Sequence, residues 1–348
     1  MDALTDVLTR CAREAADRGA SDLHLVCGLP PIAKVAGEME VIPGPVTDRE
    51  ALAGAAAGLF PGRDLREAPC RALSLPGIGR FRVTGWLAGG NPQLSLRLVP
   101  SCPPTPGELG LPAALTRAAR AGSGLVLLAG PAGSGRSSTM HALLSWLNDT
   151  KRWLIVSIED PVECEHPSRQ SAFVQLDLGA DSPDLPTAIS GALRHAPDCI
   201  AIGEMSDPVS SRAALEAAAS GILVIACLYA HTAAQALARM IEAHRAGKQH
   251  SARELLADSL AAVFAQRLLP TICGSRTLAG ELLLGTAPVR ALIREGKLAQ
   301  LATVVETSGA EGMQSLDSQV RALFEEDKIS FSTALTHSTD RSALESLL

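Results

Sequence analysis

Apolar and polar positions alternate with two periods along the chain, on either side of a proline-rich stretch. Leu4, Val7, Leu8, Cys11 and Ala15 recur at spacings of three and four, which predicts a helix over 3–19. Residues 23–28 read as a strand running into a turn at Leu29-Pro30-Pro31, and 32–42 as a hairpin turning at Gly37-Glu38. An Ala-rich helix is predicted over 48–59. Alternation interrupted by Gly and Pro predicts strands over 71–100, so the first hundred residues read as an α+β domain.

The segment 101–112 is too rich in proline to be a helix interior and reads as a linker of limited flexibility. Beyond it the pattern changes. The stretches 125–130, 153–160, 199–205 and 222–229 are short, continuous and apolar, and helical patterns over 136–148, 208–220 and 232–244 separate them. Strands without polar alternation that take turns with helices predict a mostly parallel sheet covered on both faces. From about 250 to 348 the pattern reads as several helices. The expected organisation is a domain over 1–100, a linker over 101–112 and an α/β domain over 113–348.

Composition narrows the function classes. Hydrophobic residues make up 47% and charged residues 20% of 348, which supports a folded core rather than disorder. Aromatics are 3%, with a single tyrosine, Tyr229, and the net charge is −6 without a basic run, so no nucleic-acid partner is expected. Mean hydropathy is +0.17. Apolar runs such as 125–129 and 222–228 nevertheless fall short of the roughly 20 residues of a spanning helix, and no signal-peptide core is visible, so a cytoplasmic protein is expected. None of the eight cysteines forms a CxxC pair, and no zinc is expected.

The strongest local signal is a buried strand that enters Gly130-Pro131-Ala132-Gly133-Ser134-Gly135-Arg136-Ser137-Ser138 and leaves as a helix. Glycines at those spacings let backbone N–H groups close around phosphate oxygens, and the helix N-terminus adds positive potential. Ser137 sits where a hydroxyl ligates Mg²⁺. Position 136 carries Arg where this loop ordinarily has Lys. The charge is kept, but a planar fork replaces a compact ammonium. Two further strands end in carboxylates. Glu159, Asp160 and Glu163 lie where open α/β sheets bind ligands, and Glu204 ends the strand of 199–205. Such groups polarise water or position Mg²⁺; a solvated acidic loop accounts equally well for the first set alone. His231 follows the fourth strand, either as a γ-phosphate sensor or as a helix-entry residue without a ligand.

The ordered series of motifs resembles the type II/IV secretion ATPase superfamily and, within it, the type IV pilus retraction ATPases of the PilT/PilU group. The resemblance runs over nearly the whole chain. It is carried by Ala20 to Leu25 with Gly28 to Pro31, by Gly79-Arg80-Phe81-Arg82 and Arg97, and by the loop Gly130 to Ser138. The acidic stretch Ile158 to Glu163, the segment Ala192 to Arg194 with Pro197-Asp198, and Gly203-Glu204-Met205 continue it. Pro288 to Lys297 and Glu311 to Asp317 complete it. The resemblance implies an N-terminal PAS-like domain and a C-terminal RecA-like P-loop domain with a helical C-terminal extension. It implies a hexameric ring, ATP and Mg²⁺, an inner-membrane pilus platform protein as partner, and a cytoplasmic location peripheral to that membrane. It assigns Gly130, Gly133, Ser134, Gly135, Arg136, Ser137 and Ser138 to the nucleotide. Ser137, Asp160 and Glu204 fall to Mg²⁺, and Glu204, Glu159 and Glu163 to catalysis. Arg80, Arg82 and Arg97 become candidates to reach the transferring phosphate.

Two departures bear on activity: Arg136, and the family's Leu-His-Thr box, which aligns with Leu228-Tyr229-Ala230, so that Tyr229 takes the His position and His231 comes two residues late. In addition, Ser206 stands where the family commonly has Arg. Two readings follow. One is a working retraction motor for twitching motility. The other is a weak or inactive accessory subunit that assembles with an intact, paralogous motor. A secretion or conjugation ATPase is a remoter third.

Overall fold

The computed structural model describes residues 3–35, 37–99 and 102–338. The expected boundary at 100–101 and the end of the expected α/β domain, 339–348, lie outside the described residues. The chain divides into two compact units. The first holds 1–102 and, from further along the chain, Asp160–Glu165; the second holds Pro103–Glu159 and His166–Leu348.

In the first unit, α1 (Ala3–Asp17) and α2 (Arg49–Leu59) cover a six-stranded antiparallel sheet. Its strands are β1 (Asp22–Leu25), β2 (Ile32–Val35), β3 (Glu38–Val41), β4 (Cys70–Leu75), β5 (Gly79–Ala88) and β6 (Asn91–Val99), in the order β3-β2-β1-β6-β5-β4. Asp48 starts α2 by accepting the Ala51 N–H at 2.7 Å. Alternate strand residues such as Leu23, Leu25, Phe81, Val83, Leu94 and Leu96 turn inward onto the two helices.

The second unit is built on a seven-stranded sheet in the order β13-β12-β7-β11-β10-β8-β9. β7 (Gly124–Ala129), β8 (Leu154–Glu159), β9 (Ala172–Asp177), β10 (Cys199–Met205), β11 (Leu223–Leu228) and β12 (Leu260–Pro270) pair in parallel, and β13 (Arg276–Leu284) joins antiparallel. Both faces are buried, which explains the missing alternation. Leu125, Leu127, Ile200, Ile202 and Val224 face one core. Their strand neighbours Val126, Leu128, Ala201 and Ile225 face the other, beneath α3 (Ala113–Arg120) and α4 (Arg136–Thr150). The first core is closed by α5 (Leu185–Leu193), α6 (Pro208–Ala219), α7 (Ala233–Glu242), α8 (Gln249–Ser259) and α9 (Ala287–Glu295).

The expectation of helices alone from about 250 is corrected here. β12 and β13 occupy the middle of that region, and the helices α9, α10 (Leu301–Thr307), α11 (Leu316–Glu325) and α12 (Phe331–His337) follow them. The Ala- and Leu-rich run 260–270 carries no strand alternation because it is buried on both sides next to β7. Gly280 on β13 leaves room for the Phe264 ring, which a Cβ would approach to 2.5 Å. β9, an edge strand of mixed burial, was also not anticipated.

Candidate nucleotide-binding site

The loop 130–135 joins β7 to α4. Gly133 and Gly135 have φ of +76° and +86°, a conformation that side chains rarely adopt, so the loop depends on glycine there. Gly130 is required by space: a Cβ would lie 2.3 Å from Ser134 Oγ and 2.6 Å from the Gln266 carbonyl oxygen. From β12, Gln266 Nε2 donates to the Ser134 carbonyl at 2.8 Å. No side chain caps α4, so its first-turn N–H groups are available to an anion. Among the described residues, Arg136 Nη1, Ser134 Oγ and Thr139 Oγ1 are buried without a hydrogen-bond partner. A buried guanidinium nitrogen without an acceptor, beside a glycine-shaped loop and an uncapped helix N-terminus, fits a phosphate group. Ser137 and Ser138 are exposed.

The ends of β8, β10 and β11 lie beside this loop. Leu228 pairs with Ala129, and Ile158 with Ile202. Glu159 therefore neighbours Gly203, where a Cβ would stand 3.4 Å from the Glu159 Cα. Glu159 is buried, 4% exposed, whereas Glu204 is exposed. The Glu159 Oε1 accepts from Ser157 Oγ at 2.8 Å and from Gln175 Nε2 at 3.3 Å, and Oε2 lies 3.4 Å from His141 Nε2. Beneath the loop, burial pushes the Cys227 thiol up to about 12; Arg136 pulls it back and Glu159 and Glu204 push it further.

Asp160, Glu163 and the three arginines belong to the first unit, where Arg82 pairs with Glu163 and the other two arginines find other partners. Arg82 Nη1 donates to Glu163 Oε1 at 2.8 Å. Arg80 Nη2 donates to the Val162 carbonyl at 2.7 Å, and Arg80 also pairs with Glu165. Arg97 donates from Nε to Asp22 at 2.8 Å, and that contact lowers the Asp22 carboxyl against the opposing effect of its burial. Asp160 is exposed.

Tyr229 lies just beyond β11, which ends at Leu228, so strand alternation does not extend to His231. The loop into α7 nevertheless brings the two together. The Tyr229 hydroxyl is 3.3 Å from His231 Nε2, and the Arg239 guanidinium stacks 5.4 Å from the tyrosine ring centre. The side chains around Glu159, namely His141, Ser157 and Gln175, were not read from the sequence. They come from three separate elements, and only Ser157, at the two-residue spacing that shares a strand face, left a local signal.

Comparison with known proteins agrees with this architecture. A family model described as type II/IV secretion system protein matches residues 110–324. The protein named "Type IV pilus retractation ATPase PilT" of Pseudomonas aeruginosa is 35% identical over 328 residues, covering 93% of this chain and 95% of its own. The "Type IV pilus ATPase PilU" of the same organism is 33% identical over 339 residues, covering 95% and 88%. The structure titled "Crystal Structure of the Pilus Retraction Motor PilT and Bound ADP" superimposes with a TM-score of 0.88 at 31% identity, covering 97% of this chain and 99% of that one. With a strand–loop–helix phosphate site on a parallel sheet and similarity along nearly its full length, the chain belongs to the type II/IV secretion system protein family.

Proposed function

We propose that this chain is an ATP-hydrolysing motor of the type IV pilus retraction kind, working as a hexameric ring whose output is pilus withdrawal and twitching motility. The similarity to the pilus ATPases PilT and PilU, and to a PilT structure with bound ADP, supports the reading. The observation that carries it is the glycine-shaped loop between β7 and α4, with an uncapped helix N-terminus and the buried Arg136 Nη1 left without an acceptor among the described residues. In this reading the ring acts at the inner membrane through a platform protein; no helix among the described residues is itself long and apolar enough to cross a membrane.

In this reading the backbone N–H groups of the loop and of the first turn of α4 hold the β and γ phosphates, and Arg136 neutralises part of their charge. Glu159 or Glu204 orients a water and accepts its proton as the water oxygen bonds to the γ phosphorus. The bond to the β-phosphate oxygen breaks and ADP leaves. Ser137 and Glu204 are the second unit's groups suited to Mg²⁺, which when bound supplies charge neutralisation at the phosphate oxygens. Arg80 and Arg82, held by 162–165, are candidates for stabilising the transferring phosphate. Mg-ATP turnover of the purified full chain tests this. Turnover is expected in the parent and a loss of about 100-fold or more in Glu204→Gln or Glu159→Gln; no turnover in the parent overturns the proposal.

A second reading, an accessory subunit within a mixed ring, is favoured by Tyr229, whose hydroxyl and ring are already engaged by His231 and Arg239. Turnover or force that appears only on mixing with a paralogous motor supports it, and robust turnover of the chain alone that is indifferent to such a partner rejects it.

A further inference from the structure

Two histidines are buried next to Glu159, and the mechanism above uses neither. His141 is 6% exposed on α4, one and a half turns beyond Arg136, and His166 is 7% exposed in the segment before β9. Their rings are 5.2 Å apart, and Phe173 stacks on His166 at 4.6 Å.

The contacts close into a ring. His166 Nε2 lies 3.0 Å from His141 Nδ1, and His141 Nε2 lies 3.4 Å from Glu159 Oε2. Gln175 Nε2 reaches the other carboxylate oxygen at 3.3 Å, and Gln175 Oε1 accepts the His166 backbone N–H at 2.7 Å. Asn148, further along α4, fixes the remaining segment by donating to the Pro167 carbonyl at 2.8 Å and accepting the Arg169 N–H at 3.1 Å.

We propose that His141 and His166 are positioning residues for Glu159: His166 Nε2–H donates to His141 Nδ1, and His141 Nε2–H is held against Glu159 Oε2, setting the rotamer of the carboxylate. The direction follows from chemistry. An ionised carboxylate only accepts, so the facing nitrogen of His141 carries the hydrogen and its other nitrogen must accept. Burial supports neutral rings, lowering His141 to about 3 and His166 to about 4. Within the second unit the groups facing the pair are Glu159, Gln175, Phe173 and, acting on His166, Arg169. A neutral donor aims the carboxylate without taking its charge, which a group that must accept a proton from water requires. Phosphate contacts are left to the loop, so the relay governs the chemical step rather than affinity.

The role in turnover rests on the proposed function, and the experiment separates the two. In the full-length chain, His141→Ala is expected to lower kcat for Mg-ATP by roughly 10- to 100-fold while KM and ADP affinity stay within about twofold. His141→Gln, which can return a donor near the Nε2 position, is expected to recover most of that loss. With ¹⁵N-histidine labelling, the resonances of both rings are expected to report the neutral Nε2–H form at pH 7, and the His141 signal to move in Glu159→Gln. An unchanged kcat in His141→Ala with turnover lost in Glu159→Gln overturns the relay, as does an Nδ1–H or charged His141. An equal loss of ADP affinity in His141→Ala reassigns the histidine to folding of the site. Full turnover in Glu159→Gln overturns the assignment of Glu159 and the relay with it. If the parent has no turnover, the hydrolysis reading falls and the spectrum alone decides whether His141 holds the carboxylate.

Discussion

Gln266 donates its side-chain amide to the carbonyl oxygen of Ser134, 132 residues earlier in the chain, at 2.8 Å. The contact ties the phosphate loop to β12, a strand that the sequence pattern had presented as helix. Gln266 is 1% exposed, so its amide cannot be replaced by solvent without rearrangement. Gln266→Leu leaves the Ser134 carbonyl without that donor, at a cost of about 1–3 kcal/mol. The expected result is a lower melting temperature together with weaker ADP binding, measured by calorimetry and by fluorescent-nucleotide titration. Unchanged ADP affinity would remove Gln266 from the loop's support.

Arg136 fills the position ordinarily held by Lys, and its Nη1 is buried without a partner among the described residues. The planar fork spreads its charge across a wider arc than an ammonium does. Arg136→Ala is expected to weaken ADP binding by about tenfold or more, because a charge-assisted contact to phosphate is lost. Arg136→Lys is expected to keep binding and to raise turnover, since a point charge follows the moving phosphoryl group more closely. Turnover that falls in Arg136→Lys would show that the loop has adapted to the fork.

Tyr229 is 39% exposed and engages His231 and Arg239 at the loop's edge. Tyr229→Phe removes the hydroxyl contact and keeps the ring under Arg239. Stability is expected to change by less than about 0.5 kcal/mol, as for other surface substitutions. A change in kcat without a change in ADP affinity would place the Tyr229–His231 pair in the chemical step. Equal kcat in parent and variant would assign the pair to the α7 entrance alone.

The buried histidines give the fold a pH dependence of defined sign. Unfolded, both titrate near 6.5; folded, burial together with the neighbouring His166 lowers His141 to about 3, and burial together with Arg169 lowers His166 to about 4. Between those values the unfolded chain binds more protons than the folded one. Stability is therefore full above about pH 6.5 and falls as the pH drops toward 4, with a limiting slope of about 1.4 kcal/mol per pH unit for each histidine. Urea midpoints at pH 7.5, 6 and 5 are expected to decline in that order, and more shallowly in His141→Ala. A midpoint that is flat across the range would contradict neutral burial of the pair.

Local chemistry alone determined the phosphate loop and four strands of the second sheet, β7, β8, β10 and β11. Glycine spacing, a buried strand before it and a helix after it are short-range properties, and Gly133 and Gly135 adopt the positive φ that their residue type permits. The motif order was enough for the family, because such motifs are written along the chain. What the tertiary structure decided is pairing. β12 and β13 are strands because β7 offers an open edge next to them, which no window of sequence around 260–284 contains. Likewise His141, Ser157, His166 and Gln175 meet Glu159 only because α4, β8 and β9 fold side by side. Periodicity reports which face of an element is buried; the identity of the side chain waiting on the other element is fixed only when the sheet is assembled.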